Sequence, residues 1–82
     1  MSRYEIQGMR GLGKVKVKVV LGFDPPLRHY FVDVWMGDAK RPFYTSMAEP
    51  SGGFATLEAL QTKLSELGVQ VPEDTFQMIS AA

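Results

Sequence analysis

The sequence predicts an α+β fold: a four-stranded antiparallel meander sheet, then one main helix packed on one face of it and a short C-terminal helix. Three observations carry this expectation. Residues 14–23 and 28–36 each alternate between apolar and polar positions. Two adjacent prolines, Pro25 and Pro26, break the chain between them. Leu57, Leu60, Leu64 and Leu67 then recur at helical spacing. At 82 residues the chain is one domain, 1–82, and its 45% hydrophobic content suffices for a single packed core.

In residues 14–23, Val15, Val17, Val19, Leu21 and Phe23 point one way, and Lys14, Lys16 and Lys18 the other. β-Branched residues alternating with charge suit a strand that buries one face. Residues 28–36 form the next strand, with Asp24-Pro25-Pro26-Leu27 as the turn. A four-residue loop there pairs Phe23 with Arg28. That register places Leu21 opposite Tyr30, Val19 opposite Val32, Val17 opposite Val34 and Val15 opposite Met36. On the outer face it sets Lys18 opposite Asp33, Lys16 opposite Trp35 and Val20 opposite Phe31, an ion pair and a cation–π contact among them.

A turn at Gly37-Asp38-Ala39-Lys40 leads to a strand over residues 41–47. Pairing Met36 with Arg41 sends Phe43, Thr45 and Met47 to the core, and Tyr44 and Ser46 to the lysine face. Pro42 lacks an N–H, so this strand is expected at an edge. Upstream, residues 3–7 alternate as well. Across a loop at residues 8–13 they pair with the lysine strand, with Tyr4 and Ile6 inward and Glu5 opposite Lys16. Residues 48–55 read as loop. Thr56 is the N-cap of a helix over 57–67 that stops at Gly68. Pro72-Glu73-Asp74 opens a second, short helix with Phe76 and Ile79 inward.

Composition narrows the chemistry. There is no cysteine, hence no disulfide, zinc-thiolate site or thiol nucleophile. His29 is the only histidine, so a histidine-pair metal site is excluded, and it reads as a strand-end surface residue. Residues 8–13 are glycine-rich but lie between two strands and lack the Gly-Lys-Ser/Thr ending of a phosphate loop. Ser51-Gly52-Gly53 has no second catalytic group beside it, and Asp24, Asp33 and Asp38 form no carboxylate pair. The expectation is a non-enzymatic protein with no catalytic residues, no metal and no cofactor. The N-terminus has no apolar run behind its charge, and no stretch approaches the roughly 18 apolar residues of a membrane span, so a soluble cytoplasmic protein is expected.

Net charge is zero but uneven. Residues 1–41 carry a balance of +4 and residues 42–82 a balance of −4. This suits either a basic sheet held against an acidic helical layer or a basic surface offered to an acidic partner.

The outer face of the predicted sheet collects Phe31, Trp35, Tyr44 and Val20 among Lys14, Lys16, Lys18 and His29. Large aromatics carry roughly 150–250 Å² each, so an open patch of several hundred Å² is possible unless lysine stems cover it. Trp35, Phe31, Tyr44, Lys16, Lys18 and His29 are therefore the candidate partner-binding residues.

The run Leu21-Gly22-Phe23-Asp24-Pro25-Pro26-Leu27-Arg28-His29-Tyr30-Phe31 resembles a hairpin, Tyr-Gly-Phe-Asp-x-Pro-Leu-x-Tyr-Phe, of small uncharacterised bacterial proteins encoded on plasmids and other mobile elements. Residues 67–74 fit the same outline, a leucine-rich helix ending near glycine. The second proline and Arg28-His29 depart from the pattern. The resemblance covers about half of the chain and implies a bacterial source and an accessory or inhibitory binding role, with no activity attached.

Two functions stay open on the sequence. The first is an interaction domain that binds a protein, or its own copy, through the aromatic and lysine face. The alternative is a single-stranded nucleic-acid binder in which bases stack on Trp35, Phe31 and Tyr44 while lysines meet phosphates. Zero net charge and Asp33 amid the face count against the second. Nothing indicates a small-molecule substrate or a membrane.

Overall fold

The computed structural model describes residues 2–80. Its α+β architecture is a curled antiparallel sheet with one main and one short helix. Five strands take part: β1 (Ser2–Arg10), β2 (Val15–Asp24), β3 (His29–Met36), β4 (Tyr44–Thr45) and β5 (Val69–Gln70), in the spatial order β4-β3-β2-β1-β5. The helices are α1 (Leu57–Glu66) and α2 (Thr75–Ser80). The first four strands form the expected meander. β5, which follows α1 and pairs with β1 at Met9 and Arg10, was not expected.

The β2–β3 alternation buries most of the predicted residues, but not Val15, which begins β2 and is 49% exposed. Val17, Val19, Leu21, Val32 and Val34 join Leu60 and Leu64 of α1, Val69 of β5 and Ile79 of α2 in one core. The pairing partners differ from the expected ones by two residues. Val17 lies opposite Met36, Val19 opposite Val34, Leu21 opposite Val32 and Phe23 opposite Tyr30. The cause is the turn. Asp24 stays in the ladder opposite His29, and Arg28 becomes the last loop residue, left-handed at φ 53° with its N–H on the Pro25 carbonyl at 3.1 Å. A shift of two preserves every side-chain face and changes every partner. The expected Lys18–Asp33, Lys16–Trp35 and Val20–Phe31 pairs are replaced by Lys18–Trp35 and Val20–Asp33, with Phe31 opposite Gly22.

β1 is longer than its alternation suggested. It runs through Gly8, Met9 and Arg10, so Glu5 lies opposite Val20 rather than Lys16. Gly8 lies in the strand opposite Val17, and glycine is required there because a Cβ would stand 2.6 Å from the Gln70 carbonyl of β5. Arg10 closes this corner. Its Nε donates to the Leu67 carbonyl at 2.9 Å, and its guanidinium lies 4.7 Å from the Phe43 ring centroid. A cation at the end of α1 also suits the helix dipole.

The β3–β4 connection holds one residue more than expected, and an odd shift turns faces over. Tyr44 lies opposite Val34 and Thr45 opposite Asp33. Tyr44 therefore packs against the core, Thr45 faces outward, and Met47 is exposed instead of buried. The edge position foreseen from Pro42 holds, since β4 ends the sheet. Beyond it the chain makes one 3-10 turn, Ser46–Ala48. Ser46 is fully buried, and its Oγ accepts the Val32 N–H at 3.0 Å. Ser46→Ala leaves that N–H without a partner in the core. We expect a loss of about 1–3 kcal/mol, read as a lower urea midpoint with an unchanged slope.

α1 begins where expected, with Thr56 Oγ1 accepting the Ala59 N–H at 3.1 Å, and ends at Gly68, whose N–H returns to Ser65 O at 3.0 Å. Leu60 and Leu64 are buried and Leu57 and Leu67 half-buried against the valine face. The charge asymmetry does not clamp the layers. The ion pairs among the described residues, Lys18–Glu5 and Lys63–Glu49, both at 3.8 Å, each join residues of the same half.

Candidate functional site

The ladder orders the outer face into rows across the strands. Asp24 lies beside His29 at the turn end. Next come Arg3, Gly22 and Phe31, then Glu5, Val20, Asp33 and Thr45. Gln7, Lys18 and Trp35 follow, and Met9 with Lys16 ends the face. Five of the six candidate residues thus share this surface. Lys16, Lys18 and Trp35 gather at one end, and Phe31 and His29 at the other. Tyr44, the sixth, is on the opposite face. Its hydroxyl donates to Glu49 Oε2 at 3.1 Å, and the Lys63 ammonium stands 5.3 Å from its ring. Burial, reinforced by the bond to the Glu49 carboxylate, pushes the Tyr44 phenol well above the usual tyrosine range. It is a structural tie between β4 and α1.

The aromatics of the face are half-buried, not open. The Lys18 ammonium lies 4.5 Å from the Trp35 ring centroid, a contact worth roughly 0.5–1 kcal/mol at such an exposed site. This is the cation–π pair anticipated for Lys16, moved to Lys18 by the register. Lys18 also meets Glu5. Phe31 leans over Gly22, its ring edge 2.9 Å from where a Cβ would be. Val20, midway along the face, is only 2% exposed. The Glu5–Val20–Asp33 row puts two carboxylates across the middle, and Thr45 Oγ1 donates to Asp33 Oδ1.

Beyond that row, toward the turn, the face becomes concave. A recess of about 450 Å³ is lined by Phe31, Leu27, Met47, Arg3, His29 and Asp33, among others. Leu27 and Met47 are large apolar side chains left 63% and 80% exposed at its wall. The His29 ring lies against Gly53 of the loop after β4, which brings Ser51 and Gly52 to the rim. A second depression, of about 540 Å³, lies among Glu5, Gln7, Lys16, Lys18 and Asp38. Among the described residues, no three His, Asp or Glu side chains gather closely enough to hold a metal ion.

Sequence reasoning missed Leu27 and Met47. Leu27 could have been found as an apolar residue in a turn that offers nothing to bury it. Met47 was hidden by the wrong face assignment. No helix among the described residues is long and apolar enough to cross a membrane. No family model, curated protein or solved structure matches the chain.

Proposed function

We propose that this protein is a non-enzymatic interaction domain that binds a protein partner through the outer face of its sheet. The partner would seat an apolar anchor in the recess beside Phe31 and extend toward Trp35. The observation that carries this reading is the pair of exposed apolar side chains, Leu27 and Met47, flanking a concavity floored by a half-buried aromatic. Water-exposed apolar groups around a recess with a charged rim are what an interface core with a polar edge requires. An accessory or inhibitory role in the cytoplasm fits the hairpin resemblance and the absence of cysteine.

The nucleic-acid alternative draws less support from the same surface. Glu5 and Asp33 interrupt the track a phosphate backbone would follow, and Tyr44 is not on the face to stack a base.

Replacing Phe31 and Trp35 together with serine is expected to abolish partner capture, since truncating one aromatic anchor often costs at least about 2 kcal/mol of binding. Leu27→Ser with Met47→Ser should do the same without touching the fold, because both side chains are already in water. Pull-downs from the source organism, compared across these variants with thermal melts as the folding control, make the measurement. Titration of labelled single-stranded oligonucleotides at low and moderate salt is expected to show no binding. Tight binding that falls steeply with salt would instead mark a nucleic-acid interface.

A further inference from the structure

In an antiparallel ladder, successive residues turn their N–H and C=O groups alternately to one neighbour and the other. A few bonds therefore orient the whole sheet. Gly37 N–H donates to Lys16 O at 3.4 Å, so Lys16 faces β3 and Val17, Val19 and Leu21 face β1. Their partners Gly8, Ile6 and Tyr4 face β2, which leaves Arg3, Glu5, Gln7 and Met9 facing away from the sheet.

On the opposite side of the sheet the outward groups of β3 are engaged. Tyr30 exchanges bonds of 2.7 and 2.8 Å with Phe54, Val32 N–H meets Ser46 Oγ, and Val34 O accepts from Phe43 N–H at 2.8 Å. On β1, Met9 pairs with Gln70 of β5, and Gly11 N–H reaches Gly68 O at 3.0 Å. Arg3, Glu5 and Gln7 are different. Among the described residues no strand pairs with their outward groups, and all three side chains are exposed. A free edge of this length is a template for another strand.

We propose that β1 pairs antiparallel with β1 of a second copy, about a twofold axis at Tyr4, joining two five-stranded sheets into one continuous sheet. The charges on the edge select that register. It sets Arg3 opposite Glu5 of the second copy, and Glu5 opposite its Arg3, in narrow pairs that each exchange both backbone bonds. Moving the axis one residue toward the N-terminus sets Arg3 against Arg3, and one residue the other way sets Glu5 against Glu5. A further step of that kind places Arg3 opposite Met9, whose outward side β5 already occupies. The free stretch is thus self-complementary in one register. The interface is isologous and closes as a dimer. This goes beyond the outer-face reading and stands or falls without it.

The test is sedimentation of the full chain over a concentration series at low salt. Wild type should pass from monomer to dimer. Arg3→Glu and Glu5→Arg each place like charges in both pairs and should weaken the dimer by about tenfold or more. An equimolar mixture of the two variants restores opposite charges in both pairs and should recover a heterodimer. That recovery also guards against misfolding, with circular dichroism melts of each variant alone as the direct check. Hydrogen exchange should slow at the Arg3 and Glu5 amides on concentration. A chain that remains monomeric up to about 1 mM, a dimer indifferent to both single substitutions, or variants that fold but do not recover on mixing would each overturn the proposal. Loss of partner capture by the recess variants with an intact dimer would leave both readings standing separately.

Discussion

Replacing Leu64 with alanine is expected to lower the stability of this protein by about 2–5 kcal/mol, the usual cost of emptying a core leucine site. Leu64 is 2% exposed and, with fully buried Leu60, is the contact through which α1 covers the valines of β2 and β3. The backbone around it is tied at both ends, by the Thr56 cap and by Arg10 on the Leu67 carbonyl, so the helix cannot easily sink to fill the space. An 82-residue domain starts from the low end of the usual 5–15 kcal/mol, so the variant should be largely unfolded at moderate urea. Chemical denaturation followed by circular dichroism measures this. A midpoint close to wild type would show that α1 is peripheral to the core.

Gly22→Val is expected to cost about 3 kcal/mol, at the upper end of the range for overpacking. Gly22 is buried within β2, and its missing side chain makes room for two things. The Ser2 main chain crosses the position where a Cβ would sit, its carbonyl carbon 2.7 Å away, and the Phe31 ring edge approaches to 2.9 Å from the other side. The ring could swing aside, at the expense of the recess it floors. The Ser2 backbone is held by its own Oγ accepting the Phe23 N–H at 3.0 Å, so it moves only if the start of β1 peels from β2. The variant should therefore show a lowered denaturation midpoint together with faster amide exchange at the Phe23 N–H. Unchanged exchange there would mean that the close approach of Ser2 is not a constraint in solution.

The faces of β1, β2 and β3 were legible in the chain because side-chain direction has a period of two and survives any even error in register. Lys16, Lys18, Phe31 and Trp35 were placed on one surface by parity alone, although each was assigned a wrong cross-strand partner. The register itself turned on whether Asp24 or Arg28 belonged to the loop, which depends on one residue adopting a left-handed backbone. A residue other than glycine adopts that conformation at a cost of roughly 1–2 kcal/mol, so it is uncommon, and no pattern in the flanking strands reveals which one does. Tyr44 was lost to the outer face through one extra residue in an irregular connection, where an odd error is total. β5 carries too few residues to show any alternation and exists because α1 ends beside β1.

What the sequence by itself determined is therefore local. The apolar stripe of α1, its Thr56 cap and Gly68 stop, the inward valines and the outward lysines all follow from spacings within a single element. What only the tertiary structure decided is which elements meet. The Lys18–Trp35 contact, the burial of Val20, the recess between Leu27 and Met47, and the edge at Arg3, Glu5 and Gln7 that no strand among the described residues pairs with each depend on residues distant in the chain. Their positions are set by the turn conformations and by the curl of the sheet, neither of which has a periodic signature in the residues that produce it.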